Sequence, residues 1–219
     1  METLPGHLKR LPEGGDRFQA ELLSHNQRDR ILAAMAEVVA KRGYPGTTVE
    51  HIVKRAGVAR ATFYENFENR EDCLLAGFVA AEAEARRRIL GATALVEGWP
   101  DKVRVGIAAY LDYVVSDPSL ARTCIVEAMT AGPAAMDCYE QALQSFVPLF
   151  RYGRRVAPPD RQLPETLEDS IVGGVVWMIH QRLLSGEVEQ IPGLLPTMLE
   201  FALAPYLGER EAAQIAAKA

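Results

Sequence analysis

The sequence predicts an all-α protein with an N-terminal three-helix domain and a C-terminal helical bundle, about nine helices in total. Three observations support this prediction. Apolar residues recur with helical periodicity along most of the 219 residues, and no convincing strand alternation is present. Pro and Gly separate the helical stretches. Two short helices meet at Ala56–Val58, an Ala-Gly-Val corner typical of a helix-turn-helix.

The composition limits the class of protein. Hydrophobic residues make up 48% of the chain and charged residues 24%, which is enough for a core and argues against global disorder. The longest strongly apolar run, Ile171–Ile179, is far shorter than the roughly 20 residues that a membrane span needs. Cys73, Cys124 and Cys138 are odd in number and widely spaced, which favours reduced thiols. We therefore expect a cytoplasmic protein without a membrane partner.

Charge is divided unevenly along the chain. From Ser24 to Leu75 there are eight Lys and Arg against seven Asp and Glu, about +1, whereas from Ala76 onward there are thirteen against eighteen, −5. A near-neutral N-terminal segment can still present a local basic face, while the acidic remainder would repel phosphate.

The first elements are read from caps and turns. Residues 1–24 begin Pro/Gly-rich and polar, and we expect a mobile arm. The first helix is predicted from Gln27 to Arg42, ended by Gly43. Thr47 and Glu50 form a capping box, so a second helix starts at Thr47 or Thr48 and ends at Gly57. A short third helix covers Arg60 to Phe67.

Six longer helices are predicted after these three. The fourth is a long helix, and most of the others begin at a Pro, which is favoured in a first turn. The last but one has acidic residues at its start and Arg182 near its end, as the helix dipole prefers. The predicted ranges are Glu71–Leu90, Pro100 to before Ser116, Pro118–Met129, Pro133–Arg155, Glu165–Ser185 and Leu194–Leu207.

The third helix combines core residues with exposed polar groups. Phe63 and Phe67 lie four residues apart and face the core, which leaves Arg60, Thr62 and Tyr64 outward. In a helix-turn-helix the second helix reads base edges in the major groove, where Arg can pair with guanine and Thr can contact thymine. Tyr64 is typical of a phosphate contact. Thr47 and Thr48 stand at a helix N-terminus, which favours a phosphate.

At Gly43–Leu74, "GYPGTTVEHIVKRAGVARATFYENFENREDCL", the chain closely resembles the tetracycline-repressor (TetR) family of bacterial transcription regulators. The Thr-Thr pair, the Ala-Gly-Val corner, Phe-Tyr, the second Phe and a basic residue at position 70 follow the family order. Ala59 departs from it, because a helix-capping Ser is common there. The resemblance covers about a quarter of the chain strongly.

The resemblance implies roles for individual residues and for the regions of the chain. DNA binding is assigned to residues 25–75, with the motif at about 48–67, and ligand binding and dimerisation to residues 76–219. The predicted base-reading residues are Arg60, Ala61 and Thr62, and the predicted DNA-backbone contacts are Thr47, Thr48, Tyr64, Asn66 and Arg70. The last two large helices are expected to pair across a two-fold axis, with Gly173 and Gly174 at the dimer interface.

The larger region has features of a ligand pocket. It is rich in large apolar side chains, and such residues line pockets between bundle helices as well as ordinary cores. We expect an apolar or aromatic effector, with His180, Tyr110 and Tyr113 as polar contacts, although a packed face with a hydrogen-bonded His180 explains that residue equally. The candidate pocket residues are Trp99, Tyr110, Tyr113, Met129, Phe146, Phe150, Trp177 and His180. The fourth helix is the expected lever between pocket and DNA-binding helices.

Other classes of protein are less well supported. The sequence contains no H-E-x-x-H, no G-x-S-x-G and no P-loop, so neither a metal site, a cofactor nor a catalytic residue is predicted. Cys124 and Cys138 are compatible with buried packing or with a thiol sensor. We predict a homodimeric repressor that binds a pseudo-palindromic double-stranded operator and is released by a small-molecule effector. An activator on the same fold, or an α-helical interaction module without DNA binding, remains the alternative.

Overall fold

The structure, a computed structural model, describes residues 14–218 of the chain, with side chains from residue 25 onward. These residues contain eleven α-helices and no strand, which confirms the predicted all-α class. Short 3-10 turns cover Glu127–Thr130, Val188–Gln190 and Pro192–Leu194. The helices are α1 Gly14–Arg42, α2 Val49–Ala56, α3 Arg60–Asn66, α4 Arg70–Thr93, α5 Trp99–Ser116, α6 Pro118–Ile125, α7 Pro133–Arg151, α8 Gly153–Val156, α9 Leu167–Ser185, α10 Leu195–Leu207 and α11 Glu209–Ala216.

The N-terminal boundary differs from the prediction. Helix α1 begins at Gly14, thirteen residues before the predicted start at Gln27, so residues 14–24 of the expected mobile arm are helical. Residues 1–13 of that arm lie outside the described residues. From Asp16 to Gln27 the chain has no Pro or Gly that would stop a helix, and polarity alone does not prevent one from forming.

The later helices also differ from the prediction. Helix α6 ends at Ile125 and not at Met129, because a 3-10 turn follows it. The predicted Pro133–Arg155 helix is interrupted at Tyr152. The next residue, Gly153, packs so closely that a Cβ atom at this position would lie 2.6 Å from the side chain of Trp99 and 2.7 Å from that of Tyr206. Close packing therefore sets this break, which produces α8. Helix α11 was not predicted, and its Ala212 is fully buried.

The helix-turn-helix forms where the sequence predicts it, but the predicted Thr47–Glu50 capping box was wrong, because the Thr47 hydroxyl donates to the carbonyl of Gly43 at 2.9 Å. The Thr48 hydroxyl caps α2 by accepting a hydrogen bond from the His51 amide at 3.3 Å. Gly57 ends α2 with φ of 65°, a left-handed conformation that favours glycine. Ile52 and Phe63 are fully buried in the core that α1, α2 and α3 share. Burial of these side chains fixes the angle between α2 and α3.

Two arginines of α1 brace this motif from outside. Arg28 donates from Nη1 to the carbonyl of Asn66 at 2.9 Å, and its guanidinium lies 4.4 Å from the ring centre of Phe67. Arg30 donates from Nη2 to the carbonyl of Ala56 at 2.6 Å. Both carbonyls belong to last turns, α3 and α2 respectively, where the helix leaves acceptors unpaired and favours cations. Helix α1 thus holds both helices of the motif.

Helix α6 joins the larger bundle to α1. The buried hydroxyl of Thr123 donates to the carbonyl of Ala36 at 3.0 Å. Just beyond α6, the buried residues Ala128, Ala131 and Ala135 pack in the same core as the helix-turn-helix. The two parts of the chain therefore share apolar packing as well as a hydrogen bond.

One buried carboxylate fastens the far end of the bundle. Glu168, on α9, is buried and accepts hydrogen bonds from Arg154 at 2.8 Å and from the hydroxyl of Tyr206 at 2.9 Å. Burial alone would raise the pKa of Glu168, but the hydrogen bonds from Arg154 and Tyr206 outweigh it and hold the pKa below its ordinary value. The network ties α8, α9 and α10 together.

We expect Glu168→Gln to lower the free energy of unfolding at pH 7 by about 1–3 kcal/mol, because a buried acceptor of charge-assisted bonds is lost. In the parent protein the pKa of Glu168 is lower in the folded state than in the unfolded state. Glu168 therefore contributes its full stabilisation at pH values above its pKa in the unfolded state, and this stabilisation is lost as the pH falls through its pKa in the folded state. Urea unfolding at fixed protein concentration, at pH 7 and below pH 4, measures both effects. Glu200→Gln, on the exposed side of α10, is the control. Equal stability of the two variants at pH 7 would contradict the role of Glu168.

Candidate nucleic-acid interface and internal cavity

The predicted base-reading residues lie on the outer face of α3. Arg60 and Ala61 are exposed, Thr62 is partly exposed, and Phe63 points into the core. Ala59 precedes the helix and provides no side-chain cap, as its sequence position predicts. The first turn of α3 is therefore the part of the motif that is free to contact another molecule.

Tyr64 lies beside Arg60 one turn further along α3. Arg60 donates from Nη2 to the Tyr64 hydroxyl at 3.3 Å, and its guanidinium lies 5.6 Å from the centre of the Tyr64 ring. Tyr64 is 47% exposed although it is a large aromatic residue. The pair forms an ordered, solvent-facing donor surface at the start of α3.

Of the five predicted DNA-backbone contacts, Thr48 and Tyr64 are exposed and three are engaged inside the domain. The buried Thr47 hydroxyl donates to the carbonyl of Gly43 at 2.9 Å. The amide of Asn66 donates to the carbonyl of Thr62 at 2.8 Å. These side chains close their own turns, so their hydrogen-bonding groups are occupied within the chain.

Arg70 is also turned inward. Its Nη1 donates to the carbonyl of Tyr44 at 3.1 Å and to the carbonyl of Thr47, and its guanidinium lies 4.1 Å from the Tyr44 ring centre. The start of α4 thereby holds the loop that precedes α2. Arg70 acts on the exposed Thr48 through this loop.

A cavity of about 480 Å³ lies between α4, α5, α6, α7 and α9. Its wall is mainly apolar, and five of the eight predicted pocket residues line it: Trp99, Tyr110, Tyr113, Phe146 and Phe150. Trp99 is held at one end by a hydrogen bond from Nε1 to the carbonyl of Leu149 at 3.2 Å. Sequence reasoning missed Tyr139, Cys124 and Cys138, which line the same cavity from α7 and α6.

Three predicted pocket residues lie elsewhere. Met129 is 50% exposed in the 3-10 turn after α6, and Trp177 is 56% exposed on the outer face of α9. His180 is buried and stacks on Trp177, with ring centres 5.0 Å apart. Burial and the positive charge of Arg122 lower the pKa of His180. Trp177 and His180 share a face because they lie three residues apart, but that face is not the one that borders the cavity.

The two glycines of α9 have different surroundings. A side-chain carbon on Gly173 would meet nothing within 4 Å, whereas one on Gly174 would lie 2.6 Å from the ring of Phe201 in α10. Gly174 therefore serves contact between two helices of the same chain. Gly173, Trp177, Leu184 and Phe201 contribute to an exposed, mainly apolar face of α9 and α10, which we call the α9–α10 face.

Neither a metal-ion site nor a helix able to span a membrane is present within residues 14–218. No group of three His, Cys, Asp or Glu side chains there could hold a metal ion. No helix in the same part of the chain has the length and apolarity needed to cross a membrane.

Residues 31–76 match the family model described as bacterial regulatory proteins, tetR family. The HTH-type transcriptional activator FasR of Mycolicibacterium smegmatis is 26% identical over 109 residues, 48% of this chain and 48% of that protein. The fatty acid metabolism regulator protein of Bacillus subtilis is 45% identical over 49 residues, 22% of this chain and 25% of that protein. The match spans half or less of each of these relatives.

The fold extends further than the sequence matches. The crystal structure of the transcriptional regulator FadR from Bacillus subtilis, in complex with stearoyl-CoA, has a TM-score of 0.70 and 20% identity, covering 82% of this chain and 97% of that one. Residues 31–76 thus carry a helix-turn-helix of the tetR family of bacterial regulatory proteins, and the chain shares the fold of that FadR structure over most of its length.

Proposed function

We propose that this regulator is a homodimeric repressor that leaves its operator when a long apolar effector fills the cavity. The observation that carries the proposal is the contact that α4 and α6 make with both sites. The start of α4 packs in the helix-turn-helix core through Cys73 and Leu74, while its later turns line the cavity. Helix α6 lines the cavity with Ala121, Cys124 and Ile125 and is bonded to α1 through Thr123. A ligand that moves either helix also moves the DNA-binding motif.

Base reading is assigned to the start of α3. Arg60 is exposed, carries five donors in a fixed geometry and stands in the first turn, the part of a recognition helix that reaches base edges. Tyr64 and the exposed N-terminus of α2 at Thr48 are suited to phosphates, which position the helix without reading sequence. Thr47, Asn66 and Arg70 support this surface from behind.

Dimerisation is assigned to the α9–α10 face. Trp177, Leu184 and Phe201 are 56%, 49% and 43% exposed, and exposed apolar patches of this kind mark interaction sites. We assign a second copy of this chain to the α9–α10 face. Binding to a palindromic operator requires two recognition helices, which must reach major grooves about 34–36 Å apart or farther by whole turns of the DNA helix.

The effector is assigned to the class of long-chain acyl compounds. The cavity is elongated along α5, from Gly98 to Val114, and most of its wall is aliphatic or aromatic. Its volume falls in the range of small-molecule sites. A structurally similar regulator binds stearoyl-CoA, and one relative is named a fatty acid metabolism regulator. The ligand can release DNA only if it binds more tightly to the form whose recognition helices are misplaced.

One observation favours an activator over the proposed repressor. The relative that matches 48% of the chain is named a transcriptional activator. A repressor lowers transcription from its operator without effector, whereas an activator raises it, so a reporter gene with and without the protein separates the two. Salt-dependent binding to a palindromic site separates both from an interaction module that does not bind DNA.

We expect Arg60→Ala to weaken operator binding by about 1–3 kcal/mol and to relax the preference at one base position. Tyr64→Phe is expected to weaken binding to all operator variants to a similar extent, because a phosphate contact carries no base information. Titration of both variants against single-base operator substitutions, at one salt concentration, measures the difference. Unchanged discrimination in Arg60→Ala would show that another residue reads the base.

Gly173→Arg is expected to convert the dimer to a monomer at micromolar concentration. The substitution adds bulk and charge to the α9–α10 face where nothing in the chain obstructs it, unlike a substitution at Gly174. Gly91→Arg is a matched control, because Gly91 is also helical and a side-chain carbon there also meets nothing within 4 Å. Light scattering gives the mass of each variant. A dimeric Gly173→Arg protein would place the interface elsewhere.

Effector and operator are expected to weaken each other's binding by the same factor, because coupling between two binding sites is reciprocal. The affinity for stearoyl-CoA should therefore fall when operator DNA is present. The factor should equal the one by which stearoyl-CoA lowers the affinity for operator DNA. Quenching of the fluorescence of Trp99, which lines the cavity, measures the affinity for stearoyl-CoA. A DNA mobility shift measures the affinity for the operator. Trp177→Phe removes the other tryptophan signal. Equal stearoyl-CoA affinity with and without operator would contradict the release mechanism.

A further inference from the structure

Three phenol groups and a thiol lie in one part of the cavity wall. Tyr110 and Tyr113 stand three residues apart on α5, Cys124 faces them from α6, and Tyr139 from α7. All four side chains line the same cavity. We call these four residues the hydroxyl cluster. Cys124 and Tyr139 also pack against the helix-turn-helix core, so the cluster lies at the boundary between cavity and DNA-binding domain.

The cluster has donors without protein partners. Within residues 25–218, the hydroxyls of Tyr110 and Tyr139 make no hydrogen bond, and both residues are partly exposed at the cavity wall. Tyr206, deeper in the same bundle, behaves differently, because its hydroxyl donates to Glu168 at 2.9 Å. Hydroxyls that line a cavity and have no partner in the protein are free to donate to a ligand or to water in that cavity.

The cluster is neutral at physiological pH. Burial, the largest cause in each case, raises the pKa of Tyr110 and Tyr113 well above the ordinary value, and raises the pKa of Cys124 to about 12. All these groups therefore keep their protons and act as hydrogen-bond donors. Arg88 lies 4.8 Å from the ring centre of Tyr113, but its Nε is paired with Glu84 at 2.7 Å.

The charges around the cavity disfavour a buried anion. In the described part of the chain, the charged residues that line it are Glu82, Asp117 and Lys102. Lys102 precedes Tyr110 by eight residues on α5, which corresponds to about 12 Å along a helix. A carboxylate at the cluster would lose its hydration, and the cation beside the cluster, Arg88, is already paired with Glu84. An uncompensated buried charge is costly. A neutral acceptor avoids that cost.

We propose that the hydroxyl cluster recognises an uncharged hydrogen-bond-accepting oxygen in the effector, the carbonyl of a ketone, an ester or a thioester, and discriminates against a free carboxylate at the same position. The inference rests on the proposed function, because it specifies the effector class of the same cavity. Tyr110 and Tyr139 supply the hydrogen bonds, and the aliphatic wall holds the rest of the molecule.

The test compares matched ligands on the full-length protein at pH 7.5. The fluorophore N-phenyl-1-naphthylamine, which is uncharged and apolar, is bound first and then displaced by 2-undecanone or by undecanoate, two chains of equal length. The ketone is expected to bind more tightly than the carboxylate. Tyr110→Phe and Tyr139→Phe are each expected to weaken ketone binding about 3–10-fold, the value of one hydrogen bond, and to leave fluorophore affinity within about twofold. Tyr44→Phe, in the helix-turn-helix core and away from the cavity, is the control and should leave both unchanged.

The outcomes separate this inference from the function on which it rests. Unchanged ketone affinity in both cluster variants, or undecanoate binding as tightly as the ketone, would overturn the recognition of a neutral oxygen while the cavity remains an apolar site. Failure of the parent protein to bind the fluorophore would overturn the effector cavity and the inference together. Loss of fluorophore binding in Tyr110→Phe alone would assign that residue a packing role and would also overturn the inference.

Discussion

The packing of α1 against both halves of the molecule is the interaction on which the rest of the structure depends. One part of this helix carries Arg28 and Arg30, which hold the last turns of α3 and α2. Another part accepts the hydrogen bond of Thr123 from α6 at the carbonyl of Ala36. Because one rigid helix contacts the DNA-binding motif and a wall of the cavity, a change in the cavity can reach the recognition helix without a flexible hinge. The packed interior transmits such displacements, since it has little room to absorb them.

The cavity and the core are built from the same helices, and this imposes a compromise. The buried side chains of α5 and α9, such as Leu111 and Ile179, fill one side of the bundle and stabilise it. The other side of α5 faces open space, where apolar surface stays in contact with solvent or ligand at a cost in stability. Contacts away from the cavity offset that cost, among them the paired carboxylate of Glu168. A ligand that fills the space would bury this apolar surface and offset that cost.

Much of the fold and part of the candidate site could be read from the sequence. The start of α2 at the Thr-Thr pair, the turn at Gly57 and the outward position of Arg60 follow from neighbouring residues, because these features depend on local backbone chemistry. The capping residue itself is Thr48 and not the predicted Thr47. Helix periodicity identified the helices that enclose the cavity. It misassigned Trp177 and His180 to the cavity, because spacing shows which residues share a face and not what that face meets.

The sequence by itself determined the all-α class, the helix-turn-helix and its exposed recognition turn, since each arises from interactions within a few residues. Only the tertiary structure decided which polar side chains are free. Thr47 and Arg70 resemble exposed contacts in sequence, yet both are bonded to backbone carbonyls of the loop before α2. Tyr110 was predicted from the sequence as a pocket residue, but only the fold shows that its hydroxyl has no partner within residues 25–218. Whether a donor is paired depends on atoms brought together from distant parts of the chain, and packing alone sets those distances.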